Sequence, residues 1–324
     1  MSARIAVLGG GSWGTALAAH LGRLGHDVAL WARDGDLVAD IRARRVNRRY
    51  LPEVALPAVV RPTASLPDAL AGSRYVVVAV PSHGFRDVVR AAVPHVPAEA
   101  VIVSGAKGLE LDTLRRMSEV IVEEAGSSRP VVVLSGPSFA IEVARGLPTA
   151  VVAASTDRRA IAAVQRDFRG RAFRIYGSED VVGVEIGGAT KNVIAIAAGV
   201  VQGLELGHNA LAALVTRGLV EISRLACALG ARRETLAGLS GLGDLVLTCT
   251  GELSRNRRVG LELARGRPLD AVLAGLRMVA EGVRTARAAL ELGFRCGAEL
   301  LAGRKTPGQA VDELMLRPQK LEQE

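Results

Sequence analysis

Apolar residues in the first half of the chain form short runs separated by longer amphipathic stretches. The first run is Arg4–Leu8, after which Trp13, Leu17 and Leu21 recur at the spacing of one helix face. Further β-branched or aliphatic runs occupy residues 28–31, 75–80, 100–103, 131–134 and 149–153. Apolar strands that alternate with helices are typical of a mostly parallel sheet covered on both faces. This half therefore predicts a doubly wound α/β domain.

The pattern changes near residue 181. Apolar residues between 211 and 229 keep a helical period, and residues 279–292 repeat it, with no strand-like run between them. The chain has 324 residues, whereas one domain usually comprises about 150 residues. We therefore predict an α/β domain over residues 1–181 and an all-helical domain over residues 182–324.

Composition narrows the class of protein. With 49% hydrophobic and 23% charged residues, the chain can bury enough apolar surface to fold. The longest apolar candidate, after Asn192, is interrupted by Gly199, so no membrane-spanning segment is expected. The N-terminal segment lacks a signal-peptide pattern. Cys227, Cys249 and Cys296 are odd in number and widely spaced, which predicts reduced cytoplasmic thiols and no metal site.

Net charge leaves several partners open. The 41 basic and 33 acidic residues give +8, which suits nucleic acid, a membrane surface or small anions such as phosphates. The aromatic residues are scattered and the arginines are spread along the chain. Because nucleic-acid sites usually combine clustered basic and aromatic residues, nucleic acid is not an expected partner.

Three glycines separate the first strand from the first helix. Gly9, Gly11 and Gly14 form the pattern GxGxxG within GGGSWG. In dinucleotide-binding proteins, the first glycine permits a tight turn, the second admits the pyrophosphate and the third lets the helix pack on the strand. A purely structural turn is the alternative, but this placement favours a Rossmann-like cofactor site.

The residues after the second strand bear on the choice of cofactor. NAD-selective sites usually carry an acidic residue there, which accepts hydrogen bonds from the ribose hydroxyls. This chain has Arg33 followed by Asp34. A guanidinium suits a 2′-phosphate, so Arg33 favours NADP, while Asp34 leaves NAD open. A solvated surface arginine is the alternative.

Lysine is rare among the 41 basic residues, occurring only as Lys107, Lys191, Lys305 and Lys320. Arginine cannot practically lose its proton, whereas burial can tune a lysine to act as an acid or base. Lys107 follows a strand in SGAKG, and Lys191 opens a helix in GGATKN. Both are candidate functional groups, with an ordinary surface charge as the alternative.

Further candidate groups lie in turns. Asp244 ends GLGD, which is too rich in glycine for a helix interior, and it is either functional or a cap. The segment SRNRR at 254–258 offers a hydroxyl, guanidinium groups and an amide, which together suit a phosphate. A solvated basic turn is the alternative.

These motifs resemble those of the bacterial-type NAD(P)-dependent sn-glycerol-3-phosphate dehydrogenases over essentially the whole chain. The first half matches in GGGSWGTALA, VPSHGF, SGAKGLE and SGPSFAIEVARGLPTA. The second half matches in VEIGGATKNVIAIAAGV, ALVTRGLVEI, GLSGLGDLVLTCTGELSRNRRVG and VAEGVRTA. The resemblance implies a Rossmann domain followed by an all-helical domain, and a homodimer. It also implies hydride transfer between dihydroxyacetone phosphate and sn-glycerol 3-phosphate, which supplies phospholipid synthesis.

The resemblance also implies roles for individual residues. The positions that match dinucleotide contacts are Ser12, Trp13, Arg33, Tyr50, Lys107, Ala140, Arg255, Val279 and Glu281. The positions that match the substrate site are Lys107, Gly136, Ser138, Lys191, Asp244, Ser254, Arg255 and Asn256. Lys191 matches the family's proton-transferring lysine, and Asn192 and Thr248 stand beside it in matching motifs.

Two positions depart from the family pattern, and further functions remain open. Thr190 stands where leucine is usual, and His208 where aspartate is common, which puts local packing and the environment of Lys191 in doubt. A β-hydroxyacid dehydrogenase shares the two-domain plan and a lysine followed by asparagine, but does not account for SRNRR. Two functions of a different class, a cofactor-binding sensor without turnover and a nucleic-acid binder, also stay open.

Overall fold

An eight-stranded sheet forms the framework of the first half. The computed structural model describes residues 2–275, 280–283, 285, 286 and 309. The strands are β1 (Arg4–Leu8), β2 (Asp27–Trp31), β3 (Val46–Asn47), β4 (Leu51–Ala55), β5 (Val60–Thr63), β6 (Tyr75–Val78), β7 (Val101–Ser104), β8 (Val131–Ser135), β9 (Thr149–Ala154) and β10 (Phe173–Ser178). The sheet order is β10-β9-β8-β7-β6-β1-β2-β5, and β3 pairs with β4 separately. Neighbouring strands of the large sheet are parallel, except β8 and β9.

Helices cover both faces of this sheet. They are α1 (Ser12–Arg23), α2 (Gly35–Arg44), α3 (Leu66–Leu70), α4 (Phe85–Ala92), α5 (Met117–Ala125), α6 (Ala140–Arg145) and α7 (Arg158–Phe168). Because successive strand residues point to opposite faces, Ile5 and Val7 join the core beneath α1, α2, α6 and α7. Ala6 and Leu8 join the core beneath α3, α4 and α5. Strand order reverses at β1, and ligands bind such sheets at the carboxyl ends of the strands beside that point.

One long helix organises the second half. The elements are α8 (Val181–Gly203), α9 (Gly207–Ala228), α10 (Arg233–Leu236), a π-helical turn (Leu239–Gly243), α11 (Asp244–Thr250), α12 (Arg255–Ala264) and α13 (Leu269–Ala274). α8 packs against α9, α11 and α12, and most of its residues are buried. A helix that is apolar on all sides fits such a central position.

α8 corrects one expectation from the sequence. Its length and mean hydropathy of 1.4 are those of a segment able to cross a membrane, although no such segment was expected. Gly199 and the two charged residues of the helix, Glu185 and Lys191, do not exclude it. In the folded chain, 83% of its apolar stretch is buried inside the protein, which is the environment of a core helix.

The fold class predicted from the sequence is confirmed. The six strand-like runs correspond to β1, β2, β6, β7, β8 and β9, with ends that differ by at most two residues. The sequence did not predict β3, β4, β5 and β10. It also did not predict that β8 and β9 pair in antiparallel orientation. α8 begins beside the predicted domain boundary, and the division at residues 181 and 182 stays a prediction. The helix predicted at 279–292 lies largely outside the described residues.

Candidate active site

The glycine-rich turn has the geometry that a dinucleotide pyrophosphate needs. Gly9 has a φ of +128°, and a Cβ there would lie 2.6 Å from the carbonyl oxygen of Ala79. A Cβ on Gly14 would lie 1.9 Å from the carbonyl oxygen of Gly9, so α1 packs more closely than any other residue allows. The space beside Gly11 is open, because a Cβ added there would have no described atom within 4 Å. The first turn of α1 also has no acidic residue that would repel an anion. This helix N-terminus can therefore hold an anion.

A second segment is tied to the glycine-rich turn. Asn47 Nδ2 donates hydrogen bonds to the carbonyl oxygen of Gly10 and to Oγ1 of Thr15, each at 2.8 Å. Ser12 Oγ donates to the carbonyl oxygen of Tyr50, also at 2.8 Å. The structure thus brings the predicted cofactor residues Ser12 and Tyr50 together at the start of α1.

Trp13 and Ala140, two other predicted cofactor residues, lie near this group. Both are half-buried and pack, with Tyr50, against the core beneath α1. A Cβ on Gly105 would lie 3.0 Å from Trp13 Nε1, so the indole borders the segment that leads to Lys107. The predicted cofactor residues of the α/β half therefore line one side of the sheet's carboxyl edge.

At the end of β2, the structure separates the roles of Arg33 and Asp34. Asp34 is the N-cap of α2, where its Oδ1 accepts from the backbone nitrogens of Asp36 at 3.0 Å and Leu37 at 3.1 Å. Its Oδ2 accepts from Arg49 at 2.7 Å. The hydrogen bond from Leu37 is the main cause that lowers the pKa of Asp34. Arg33 is exposed.

Two lysines from different halves of the chain share one carboxylate. Lys107 Nζ donates to Asp244 Oδ2 at 2.7 Å and to the carbonyl oxygen of Gly136 at 2.9 Å. Lys191 lies in the interior of α8, not at the start of a helix as predicted, because the helix already begins at Val181. It donates to Asp244 Oδ1 and, at 2.9 Å, to Thr248 Oγ1. The side chains of Lys191 and Asp244 are only 8% and 1% exposed. The residues predicted to be catalytic are Lys191, Lys107, Asp244, Asn192 and Thr248, and all of them except Asn192 thus form one hydrogen-bonded group.

Burial sets the acidity of Lys191. Loss of hydration is the largest effect, and it lowers the pKa of Lys191 to about 7. The charge of Asp244 acts to raise this pKa, and that of Lys107 acts to lower it. A group whose pKa lies near neutrality can both donate and accept a proton.

The segment before Asp244 differs from the prediction. Leu239–Gly243 forms a π-helical turn that runs directly into α11, and Asp244 is the first residue of that helix. A Cβ on Gly241 would lie 2.0 Å from the carbonyl oxygen of Leu236, so glycine is what permits this tight winding. The prediction of a turn outside any helix is therefore wrong. The Asp244 carboxylate binds the lysines rather than capping a helix.

The predicted phosphate segment begins α12. Ser254 is the N-cap, and its hydroxyl accepts from the backbone nitrogen of Arg257 at 3.2 Å. Arg255 is exposed. Asn256 is buried, and its Oδ1 accepts from the backbone nitrogen of Gly282 at 2.9 Å. Oδ1 thus serves as an acceptor within the protein, and Nδ2, the donor atom of the amide, is the one that can donate to a ligand.

Two predicted substrate residues, Gly136 and Ser138, and the predicted catalytic residue Asn192 border the lysines. Ser138 Oγ donates to the carbonyl oxygen of Gly136 at 2.9 Å, and the same oxygen accepts from Lys107. Asn192 is buried on α8, and a Cβ on Gly282 would lie 2.6 Å from its carbonyl oxygen. The segment around Gly282 therefore packs closely on α8.

Glu281 connects the helical half to the α/β half. Its carboxylate accepts from Ser82 Oγ at 2.8 Å and from the backbone nitrogen of Ser82 at 3.3 Å. Ser82 belongs to the motif VPSHGF, but the motif alone predicted no role for it. Val279, another predicted cofactor residue, lies outside the described residues.

Glu185 is a buried acid that the sequence motifs did not single out. It lies on α8 and accepts from Ser118 Oγ at 2.6 Å, from the backbone nitrogen of Ser118 at 2.8 Å and from Arg116 Nη1 at 2.7 Å. Arg116 closes the loop that follows Lys107. Glu185 therefore fixes that loop to the helix that carries Lys191. An acid within the apolar stretch VVGVEIGG was the available signal.

The two departures from the family pattern are accommodated locally. Thr190 Oγ1 donates to the carbonyl oxygen of Ile186 at 2.6 Å, so its buried hydroxyl is satisfied. His208 is exposed near the start of α9. Within the described ranges, no group of His, Cys, Asp or Glu side chains could hold a metal ion. Cys227 and Cys249 are free thiols, and Cys296 lies outside those ranges.

Comparison with known proteins identifies the family. Residues 4–161 match the family described as NAD-dependent glycerol-3-phosphate dehydrogenase N-terminus, and residues 180–302 match its C-terminus. A relative from Koribacter versatilis is 53% identical and covers 98% of both chains. One from Geobacter sulfurreducens is 51% identical and covers 99% of both. Both are named glycerol-3-phosphate dehydrogenase, with NAD(P)+ as the stated cofactor.

A solved structure agrees with this match. A glycerol-3-phosphate dehydrogenase from Coxiella burnetii is 41% identical and superposes with a TM-score of 0.94, covering 98% of this chain and 99% of that one. The resemblance inferred from the motifs is thereby confirmed. The chain belongs to the NAD-dependent glycerol-3-phosphate dehydrogenase family.

Proposed function

We propose that this protein interconverts dihydroxyacetone phosphate and sn-glycerol 3-phosphate, using NADP in preference to NAD. The observation that carries the proposal is the buried group of Lys191, Asp244, Lys107 and Thr248, in which a lysine of pKa about 7 can exchange a proton. Reduction of a ketone at C2 produces an alkoxide that must be protonated, and the reverse reaction must remove that proton.

The α/β half supports binding of the cofactor. The open N-terminus of α1 suits the pyrophosphate, while Ser12, Trp13, Tyr50 and Ala140 lie around it. Exposed Arg33 suits a 2′-phosphate. When bound, the nicotinamide supplies the hydride in one direction and accepts it in the other.

Lys191 and Lys107 are assigned different roles at the substrate oxygen. An ammonium has three donors, and Lys191 and Lys107 each use two of them on described acceptors. The third donor of each can reach the oxygen on C2. We assign proton transfer to Lys191, polarisation of the oxygen to Lys107 and Asn192, and orientation of Lys191 to Asp244.

The start of α12 supports binding of the substrate phosphate. Arg255 offers a guanidinium, whose pKa is lowered by burial while the charge of Glu281 acts to raise it, and Asn256 offers its Nδ2. The backbone N–H groups at the helix N-terminus add partial positive charge. Binding energy gained at the phosphate would orient C2 at the lysines. Glu281 and Val279 are assigned to the cofactor on family resemblance.

Family resemblance supports three further parts of the proposal. These are assembly as a homodimer, a cytoplasmic location, and a role in supplying glycerol 3-phosphate for phospholipid synthesis. Light scattering coupled to size exclusion would measure the mass of the assembly. A mass other than that of two chains would contradict the dimer.

The test is oxidation of NADPH and NADH by dihydroxyacetone phosphate, with wild type compared with Lys191→Ala and Lys191→Arg. Lys191→Ala should lower kcat about 10²- to 10⁴-fold while cofactor affinity is kept. Lys191→Arg keeps the positive charge, but arginine cannot practically lose its proton, so kcat should fall in this variant as well. Turnover of β-hydroxyacids instead would favour a β-hydroxyacid dehydrogenase. Cofactor binding without any turnover would favour a sensor, and full activity of Lys191→Ala would refute the proton donor.

A further inference from the structure

Arg49 is a second arginine at the carboxyl end of β2. Its Nη1 donates to Asp34 Oδ2 at 2.7 Å, and its guanidinium lies 5.7 Å from the centre of the Tyr50 ring. Asp34 stands where dinucleotide-binding sheets read the 2′ oxygen of the adenosine ribose. In sequence, Arg49 belongs to the segment between β3 and β4, not to the end of β2. Its ion pair with Asp34 places its guanidinium where a 2′-phosphate would lie.

The cofactor turn itself positions Arg49. Asn47 is hydrogen-bonded to Gly10, and the carbonyl oxygen of Tyr50 accepts from Ser12. Arg49 lies between these two anchored residues. Its backbone is thus fixed relative to the turn expected to carry the pyrophosphate, so its side chain meets the cofactor with little loss of backbone freedom.

Asp34 is poorly placed to act as the ribose acceptor of an NAD-selective site. Oδ1 accepts two backbone hydrogen bonds as the cap of α2, and Oδ2 accepts from Arg49. A ribose hydroxyl would have to share Oδ2 with Arg49 or displace it. With Arg49 in place, this carboxylate presents a guanidinium to the ligand rather than a vacant acceptor.

Two of the carboxylates around this position are paired with arginines. A surface cleft of about 450 Å³ is lined by Asp34, Asp36, Leu37, Asp40, Arg48 and Arg49. Asp40 pairs with Arg44 at 2.8 Å and lies 3.9 Å from Arg48. Asp34 pairs with Arg49. The lining holds three aspartates and two arginines, so the attraction for a phosphate comes from individual guanidinium groups, those of Arg49 and of exposed Arg33 nearby in sequence, rather than from the net charge of the cleft.

We propose that Arg49 is a specificity-determining residue that binds the 2′-phosphate of NADP together with Arg33, and that Asp34 holds Arg49 for this task. The proposal rests on the dinucleotide site of the proposed function, but not on the identity of the second substrate. Two guanidinium groups can form several charge-assisted hydrogen bonds to one phosphate. A ribose hydroxyl cannot replace those bonds.

The test measures nucleotide binding to the full chain by calorimetry, with 2′,5′-ADP and 5′-AMP as probes. Arg49→Gln should weaken binding of 2′,5′-ADP about ten-fold and leave binding of 5′-AMP unchanged. The matched control is Arg44→Gln, because Arg44 and Arg49 are each 57% exposed and each paired with an aspartate. The control should change neither affinity.

Several outcomes would overturn the proposal. Arg49→Gln could weaken the binding of 2′,5′-ADP and of 5′-AMP equally, or weaken the binding of neither. A wild type that binds 2′,5′-ADP no more tightly than 5′-AMP would also overturn it. Asp34→Asn keeps a good cap, so a rise of about ten-fold in KM for NADH would show that Asp34 reads the ribose and would overturn its assigned role. These binding results do not depend on turnover. A wild type that prefers 2′,5′-ADP but does not reduce dihydroxyacetone phosphate would refute the proposed reaction alone.

Discussion

Lys191 donates a hydrogen bond to Asp244 at a place where both side chains are almost fully shielded from water. Taken alone, such a pair would keep the lysine charged, because an uncompensated buried carboxylate is costly. Lys107 changes this balance by donating to the other oxygen of Asp244. Loss of hydration remains the main cause that lowers the pKa of Lys191 to about 7, and Lys107 adds to it, because loss of the proton from Lys191 then leaves one cation paired with one anion.

This arrangement predicts opposite pH dependences for the two directions of the reaction. Reduction of dihydroxyacetone phosphate needs Lys191 protonated, so kcat should fall as pH rises through about 7. Oxidation of glycerol 3-phosphate needs Lys191 neutral, so kcat should rise through the same pH. Asp244→Asn removes the charge that raises the pKa of Lys191, so both transitions should move to lower pH, by about one to three units. Steady-state rates from pH 5.5 to 10 check this; transitions that stay in place in the variant would contradict it.

Glu185 is predicted to position Lys107 as well as stabilise the fold. Glu185→Ala would leave Arg116 and the backbone nitrogen of Ser118 without their buried acceptor, at a cost of about 3 kcal/mol in the free energy of unfolding. Glu185→Gln keeps an acceptor and should fold, but with a lower kcat, because the loop after Lys107 is less firmly held.

The matched control is Glu119→Gln, since Glu119 also pairs with Arg116 but is 34% exposed on its side chain. Denaturant titration measures stability, and kcat with KM measures positioning. If Glu185→Gln loses stability but keeps the kcat of wild type, the carboxylate has a structural role only.

Gly260 is predicted to be essential to the phosphate end of the site. A Cβ on Gly260 would lie 1.8 Å from the carbonyl oxygen of Ile196, so α12 lies directly against α8. Gly260→Ala should push α12 away, at a cost of about 1 to 3 kcal/mol, and raise KM for the phosphorylated substrate. Gly275→Ala is the control, because a Cβ there meets nothing closer than 3.5 Å. A Gly260→Ala variant with the Tm and KM of wild type would show that α12 can shift without consequence.

The parts of the fold that the sequence predicts are those encoded locally. Buried strands such as β6, and β1 after Arg4, are apolar, so their pattern is visible without knowledge of their neighbours. β10 is an edge strand whose burial alternates, and β5 contains Pro62 and Arg61, so neither forms an apolar run. The direction of β9 could not be predicted, because a strand buried on both faces has the same pattern in either direction.

The candidate site shows the same division. Rare lysines and a glycine-rich strand-to-helix turn are local signals, and they identified Lys107, Lys191 and Gly9. The sharing of Asp244 between two lysines depends on how the two halves of the chain pack, which no local pattern encodes. Glu185 could be seen as an acid in an apolar helix, but its partners Ser118 and Arg116 lie far away in sequence.

His20 is predicted to make the protein less stable in acid. Its side chain is buried, its Nε2 lies 2.7 Å from the carbonyl oxygen of Phe168, and burial lowers its pKa from 6.5 to about 4. Between these values the unfolded chain binds the proton and the folded chain does not. The contribution of neutral His20 is therefore present above pH 6.5 and is lost as pH falls towards 4, by up to about 3 kcal/mol in the free energy of unfolding.

Urea titrations at several pH values, with His20→Gln and with His95→Gln at an exposed position as the control, measure the effect. Because glutamine does not titrate, His20→Gln should lose less stability in acid than wild type or the control; equal losses in all three proteins would assign the acid sensitivity to other groups.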